Sequence, residues 1–238
     1  MNTLTQAGAE AFAMVARLDA RLVEIIALSL GVSLSSVALS CAFALPLGAA
    51  LAVATFRGRG ALVTTLNALL GLPAVVVGLL VYLLLSRAGP LGALGLLFTP
   101  RAMVIAQAIL VFPLLAALTR QVVADAWAET REQLVSLGAG TWTSAGALLV
   151  DLRFTLLTIV LAGFGRAISE VGAVMIVGGN IDGVTRVMTT AIALETSKGD
   201  LPLALALGIV LLSVVLTLNA AVALLRQGSA SVQREALA

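Results

Sequence analysis

The chain has 238 residues, of which 61% are apolar and 11% are charged, and its formal net charge is +2. Soluble domains average about 45–50% apolar and 25% charged residues, so this composition indicates a membrane protein. The small net charge gives no reason to expect nucleic acid binding. The sequence contains no histidine, which excludes His-ligated metals and His general bases.

The first predicted element is a short amphipathic helix over 10–24, which we expect at the membrane interface. The N-terminus lacks the basic region and small-residue cleavage site of a secretory signal. Apolar runs then predict five transmembrane helices, since about 20 apolar residues span a bilayer core. These spans cover 25–56, 61–86, 101–120, 154–178 and 201–225. Backbone in lipid must satisfy its own hydrogen bonds, so the fold class is an all-α polytopic membrane protein with five transmembrane helices.

Prolines and glycines inside the spans predict how the helices bend and pack. Pro46, Pro73 and Pro113 each lie within a span and predict kinks, which serve either packing or flexing of the bundle. Gly48 and Gly78 are expected to allow close helix packing, and the same is expected of Gly71.

Residues 121–143 form the one long polar segment between spans, with the sequence QVVADAWAETREQLVSLGAGTWT. Helical spacing and alternating charge are followed by a Gly-Ala-Gly break at 138–140. A helix that ends at a glycine in left-handed geometry, followed by a second short helix, makes a compact element for another protein to grip. A slight excess of basic residues on one side favours a cytoplasmic position for this segment and for the C-terminus.

Two charged residues, Arg166 and Glu170, lie within the fourth predicted span, in GFGRAISEVGAVMIVGGN (163–180). Charges at membrane depth are costly and normally face a bundle interior or a wet cavity. Their spacing of four places them on one face of a continuous helix, where they can pair. The pair either lines or gates a polar pathway or only locks helix packing.

The remaining reactive residues are few. The single lysine, Lys198, lies in ETSKGD rather than in the Gly-rich turn of a P-loop, so the chain carries no ATPase site of its own. We expect no catalytic residue, no metal site and no cofactor. Cys41 lies in the first span and is expected to pack in the core. Thr185, Arg186 and Lys198, in the loop before the last span, are candidates for an external mouth that attracts an oxyanion.

Two segments resemble a known family. The polar segment resembles the coupling loop of bacterial ABC importer membrane subunits, whose pattern is Glu-Ala-Ala, three residues, Gly-Ala. The matching residues are Glu132, Leu137, Gly138 and Ala139. Two departures are Gln133-Leu134 in place of the alanines and Val150-Asp151 where Leu-Pro is common.

The fourth span resembles that of molybdate- and tungstate-type importer permeases, in which Arg-x-x-Ser-Glu-x-Gly-Ala recurs. The matching residues here are Arg166, Ser169, Glu170, Gly172 and Ala173. The resemblance extends over nearly everything from 28 to 225, and 179–208 is most similar to the tungstate branch.

The resemblance implies a type I ABC importer permease with a MetI-like core, as a single transmembrane domain over 1–238 with a coupling loop at about 121–151. It implies a homodimer in a bacterial or archaeal cytoplasmic (inner) membrane. Expected partners are two copies of an ATPase subunit, which uses the ATP, and an extracytoplasmic substrate-binding protein. It assigns ATPase coupling to Glu132, Leu137, Gly138 and Ala139, and the translocation pathway or gate to Arg166, Ser169, Glu170 and Gly172. The expected substrate is tungstate or molybdate.

Three alternatives remain open at the level of sequence. A permease for sulfate or another substrate fits the same architecture. An ion-driven secondary transporter needs an inverted repeat or several intramembrane carboxylates. The sequence offers one clear intramembrane carboxylate, Glu170, and no convincing repeat. A membrane enzyme needs a clustered acid–base set that this sequence does not supply.

Overall fold

The computed structural model describes the backbone of residues 2–17 and 19–235 and the side chains of 6–17 and 19–224. All regular structure in this part of the chain is helical. In chain order the helices are α1 (Asn2–Ala16), α2 (Ala20–Val53), α3 (Arg59–Leu69), α4 (Ala74–Leu85), α5 (Pro100–Ser136), α6 (Thr141–Asp151), α7 (Arg153–Ile168), α8 (Gly172–Gly178), α9 (Met188–Lys198) and α10 (Leu201–Glu235), with one 3₁₀ turn at Gly92–Leu94.

The helices confirm an all-α, multi-pass membrane protein. By length and composition, α2, α5 and the 201–224 part of α10 can each cross a membrane. The pairs α3 with α4 and α6 with α7 are each interrupted by a short break, and counting each pair as one span gives five. Within the described residues, α2, the α3–α4 pair, α5 and α10 overlap the first, second, third and fifth predicted spans, and α7 overlaps the fourth, whereas α6 belongs to the predicted coupling loop.

Three predicted spans take a different course in the structure, being broken or extended. The second span breaks before Pro73, which caps α4 in an extended conformation, rather than bending as one helix. The third continues as α5 to Ser136, because its polar C-terminal residues keep helical spacing. The fourth ends at Ile168 and resumes as α8. Pro46 and Pro113, by contrast, lie inside unbroken helices.

The predicted interfacial helix over 10–24 is wrong, because α1 ends at Ala16 and α2 begins at Ala20. The carboxylate Oδ1 of Asp19 accepts the backbone N–H of Arg21 at 3.0 Å and of Leu22 at 3.4 Å. Aspartate is a strong helix N-cap, so Asp19 starts a new helix. Leu18 lies outside the described residues.

The helices form two compact units. The first unit comprises Met1–Ser36, Pro73–Gln107 and Ala167–Asn219, and the second comprises Val37–Leu72, Ala108–Arg166 and Ala220–Ala238. Within the first, a Cβ on Gly78 would lie 2.8 Å from the Cα of Ala173. Within the second, a Cβ on Gly48 would lie 2.7 Å from the carbonyl oxygen of Ala116. Close packing at Gly48 and Gly78 is confirmed, whereas Gly71 lies in the α3–α4 break, where a Cβ would lie 3.6 Å from the carbonyl oxygen of Ala68, an ordinary contact.

Candidate functional site

The coupling loop, residues 121–151, is anchored to the second unit by a small apolar core. Ala49, Ala52 and Val53 at the end of α2 pack with Val123 of α5 and with α6. The α6 residues in this core are Ala145 and Leu148, and Trp127 is partly buried against it. Since burying apolar surface is the main source of packing energy, this core fixes both arms of the loop on α2.

The turn of the coupling loop has the left-handed glycine that the sequence predicts. Gly138 has φ +77°. The N–H of Gly138 donates to the carbonyl of Val135 at 2.9 Å, and the N–H of Ala139 donates to that of Leu134 at 2.9 Å. This pair of bonds is the Schellman motif, which satisfies the last carbonyls of a helix and requires the left-handed residue. The helix that it ends is the C-terminal part of α5, not the separate short helix expected.

The tip of the coupling loop exposes large apolar side chains. Leu137 is 82% exposed and Trp142 is 74% exposed, and Glu132 and Gly138 are also on the surface. Ala139 is half-buried. The two tryptophans thus differ: Trp127 packs on the core while Trp142 faces outward. Large apolar side chains exposed on a polar segment are typical of protein interaction sites.

The second predicted site lies where the fourth span breaks. α7 ends at Ile168 and α8 starts at Gly172. Glu170, between them, is 5% exposed, and its Oε1 accepts the N–H of Ala173 at 3.3 Å. The idea that Arg166 and Glu170 share one continuous helix face is wrong, because Glu170 has left the helix and supports the start of α8. Their energetic coupling stays a prediction.

The other residues of this site occupy distinct surroundings. Arg166, in the last turn of α7, lines a cavity of about 140 Å³ in the second unit. Its walls are leucines, namely Leu69, Leu70, Leu72, Leu110 and Leu114. Ser169 is exposed. Gly172 packs against α4, because a Cβ there would lie 2.9 Å from Cγ2 of Val75.

A buried amide that the sequence analysis did not single out supports the break from within the first unit. Gln107 of α5 accepts the hydroxyl of Ser36 at 3.0 Å, and its Nε2 donates to the carbonyl of Ala167 at 3.0 Å. The last carbonyls of a helix lack partners within it, so Gln107 satisfies one at the end of α7. The sequence did carry a signal for this role, because Gln107 is the one amide side chain in an otherwise apolar run.

The three residues proposed for an external mouth are held within the first unit. Thr185 is fully buried and its hydroxyl donates to the carbonyl of Gly178 at 2.6 Å. Arg186 lies 2.7 Å from Asp182 and 3.8 Å from the buried carboxylate of Glu195. Lys198, at the end of α9, lies 2.9 Å from the same Glu195 oxygen. Thr185 therefore stabilises a turn, and both cations have carboxylate partners. That these residues attract an anion stays a prediction.

Within the described residues these features define a class: a multi-pass helical membrane protein with broken spans and an exposed polar loop whose tip carries large apolar side chains. No family model matches the chain. The tungstate uptake system permease protein TupB of Peptoclostridium acidaminophilum is 42% identical over 222 residues, covering 93% of this chain and 97% of that protein. A probable anion ABC transporter permease of Haloferax volcanii is 44% identical, covering 84% of this chain and 88% of its own length.

The molybdenum transport system permease protein ModB of Escherichia coli K12 is 30% identical, covering 73% of this chain and 80% of that protein. The chain belongs to this family, the tungstate- and molybdate-type permeases of ABC transport systems. The family resemblance seen in the sequence is confirmed. Permeases of such systems work with ATPase and substrate-binding components.

Proposed function

We propose that this chain is the permease of an ABC importer that carries tungstate, with molybdate as the second candidate, across the cytoplasmic membrane of a bacterium or archaeon. The observation that carries this proposal is the 42% identity to a tungstate permease over 93% of the chain. The more distant likeness to a molybdenum permease, at 30% identity, supports the second candidate.

The coupling loop is the ATPase docking element in this proposal. Leu137 and Trp142 supply apolar contact area, and Glu132 supplies a charge beside it. Gly138 and Ala139 fix the turn that presents them. Exposed aromatic and aliphatic anchors with charged neighbours are the usual centre of a protein interface. ATP is bound and hydrolysed by the partner subunit, and this chain needs no cofactor.

The assembly contains two copies of this permease, two copies of the ATPase and one extracytoplasmic binding protein that delivers the anion. ATP binding closes the ATPase pair and moves the two coupling loops together. The helix bundle then switches its accessible side by rigid-body rotation, one of the established forms of conformational switching. High-affinity recognition of the anion belongs to the binding protein.

The translocation pathway runs beside the α7–α8 break and uses Arg166, Ser169, Glu170 and Gly172. Discontinuous helices at membrane depth are typical of transport pathways, since irregular backbone there is tolerated only inside protein or beside water. Thr185, Arg186 and Lys198 belong to the external side of the same path. A gate fits the mixed charges of Arg166 and Glu170 better than a tight anion site does, because the carboxylate repels an oxyanion.

The test is reconstitution of the permease with its ATPase and binding protein in vesicles. Tungstate is expected to stimulate ATP hydrolysis and to accumulate inside, with molybdate second and sulfate without effect. Equal stimulation by sulfate contradicts the substrate assignment. Accumulation that follows an ion gradient and does not need ATP contradicts the transporter class.

A further inference from the structure

A lateral groove of about 490 Å³ lies within the second unit, between the middle of α2 and α7. Its lining is aliphatic and small, apart from one cation at its end, Arg153. The apolar lining residues are Cys41, Ala42, Leu45, Pro46, Leu149, Leu156, Leu157 and Val160. Leu149 belongs to the coupling loop, and the pathway assignment uses none of the groove residues.

Arg153 is held in a defined position at the end of the groove. Its Nη1 donates to the carbonyl of Val150 at 3.2 Å, and its guanidinium lies 4.8 Å from the ring centroid of Phe154. A guanidinium has five N–H donors, so most of them remain for a ligand. The side chain is exposed, and a planar, pre-positioned guanidinium suits bidentate binding of a phosphate.

Arg153 lies at the end of a span, the part of a transmembrane helix that meets the lipid headgroups. It is the first residue of α7, and an uncharged run of twelve residues follows it up to Arg166. α6 meets α7 at an angle of 76°, so Arg153 occupies the corner between a crosswise helix and a span. Arginine and aromatic residues at span ends characteristically lie at the membrane–water interface.

We propose that this groove binds an anionic phospholipid of the surrounding membrane, with the phosphate on Arg153 and one acyl chain along the apolar walls. The charge distribution carries the choice of occupant, because a cation at the interface followed by an uncharged groove complements a molecule with an anionic head and an apolar tail. The uncharged transmembrane runs of a second permease copy, such as 25–56 and 201–225, give no anionic group for the guanidinium. Basic pockets between transmembrane helices are known to favour anionic headgroups.

The bound lipid also stabilises the joint between the coupling loop and the fourth span. Leu149 lines the groove from α6, and Leu156 and Leu157 line it from α7. An acyl chain in contact with both helices resists a change in their angle. This consequence rests on the proposed function, since it assumes that α6 transmits the ATPase movement.

The test measures lipid binding first, without transport. The whole permease is placed in bilayer discs of phosphatidylcholine with a fraction of phosphatidylglycerol, and retained lipids are counted by native mass spectrometry. Phosphatidylglycerol is expected to be retained at least about fivefold over phosphatidylcholine, the factor that one basic residue gives at an anionic surface. Arg153→Gln is expected to remove this preference, and Arg153→Lys to keep part of it.

Two further variants distinguish binding of the lipid headgroup by Arg153 from binding of the acyl chain by the groove. Arg57→Gln removes an exposed cation of the same unit that does not line the groove, and it should retain the lipid preference. Ala42→Phe fills the groove while keeping Arg153, and it should lower retention of both lipids. Unchanged phosphatidylglycerol retention in Arg153→Gln overturns the proposal, as does equal loss in Arg57→Gln.

Cross-linking distinguishes the rival occupant. A permease with Ala42→Cys and Cys41→Ser should give no disulfide between copies, and an efficient one overturns the proposal in favour of a second copy. If the complete complex fails to import tungstate but the lipid preference follows Arg153, only the proposed function has failed. If import is normal but the preference is absent, only the lipid site has failed.

Discussion

Gly138→Ala adds one methyl group to the turn of the coupling loop and tests whether that turn presents the partner surface. No atom lies within 4 Å of the added Cβ position, so the substitution causes no clash. Its effect is the backbone strain of a side chain at φ +77°. Left-handed geometry costs about 1–2 kcal/mol for a residue other than glycine, which corresponds to roughly a five- to thirtyfold change in an equilibrium.

Gly146→Ala is the matched control because it adds the same group in the same loop. Gly146 lies inside α6 and also has open space around its Cβ position, but its backbone is helical. Alanine is better than glycine in a helix by about 0.5–1 kcal/mol, so this variant should leave the loop intact or slightly more stable. The two substitutions therefore have effects of opposite sign.

The assay titrates the isolated ATPase subunit against the permease in bilayer discs and measures ATP-driven import in parallel. Gly138→Ala is expected to weaken ATPase binding within the five- to thirtyfold range, and Gly138→Val, with its β-branched side chain, to weaken it further. Gly146→Ala should match the unaltered chain. If Gly138→Val still captures the ATPase and supports import, the coupling loop is not the docking element.

Three further outcomes are expected. Gln107→Leu should lower the free energy of unfolding by about 1–3 kcal/mol, since it leaves buried polar groups without their partner; an unchanged thermal unfolding midpoint contradicts this. Glu170→Gln should impair transport more than the double substitution with Arg166→Gln does, because an unmatched charge at membrane depth is worse than none; additive losses in a double-mutant cycle rule out coupling. Mass measurement of the detergent-purified complex should give two permease copies, and a single copy excludes the symmetric dimer.

The number of spans and the turn of the coupling loop were predictable because each has a local cause. The bilayer thickness sets how long a span must be, so each sufficiently long apolar run in the sequence indicates a span. Gly138 was predictable because a helix that stops before Gly-Ala-Gly needs a left-handed residue to satisfy its last carbonyls. The exposure of Trp142 and the burial of Trp127 were not predictable. Which of the two tryptophans is covered depends on where the end of α2 packs, and the sequence of the loop does not contain this information.

The break in the fourth span left little trace in the sequence, whereas Pro73 marked the position at which the second span breaks. Hydropathy reports how apolar a stretch is, and the residues on either side of Glu170 are as apolar as a continuous helix requires. A break at membrane depth is stable only if other groups satisfy the freed backbone. Here those groups are the carboxylate of Glu170 and the amide of Gln107, the second of which is about 60 residues away in the chain.

α5 is one continuous helix, so it connects the tip of the coupling loop directly to the transmembrane part of the chain. Its 37 residues extend about 55 Å at 1.5 Å per residue, and the tip that carries Leu137 is its immediate continuation. Inside it, Pro113 removes one backbone hydrogen bond, so bending is easiest there. The other arm of the coupling loop has a corner at Leu152 instead. If the ATPase docks on the tip as proposed, its push reaches Pro113 through about 35 Å of continuous helix on the α5 side, and reaches α7 through the α6–α7 corner on the other side.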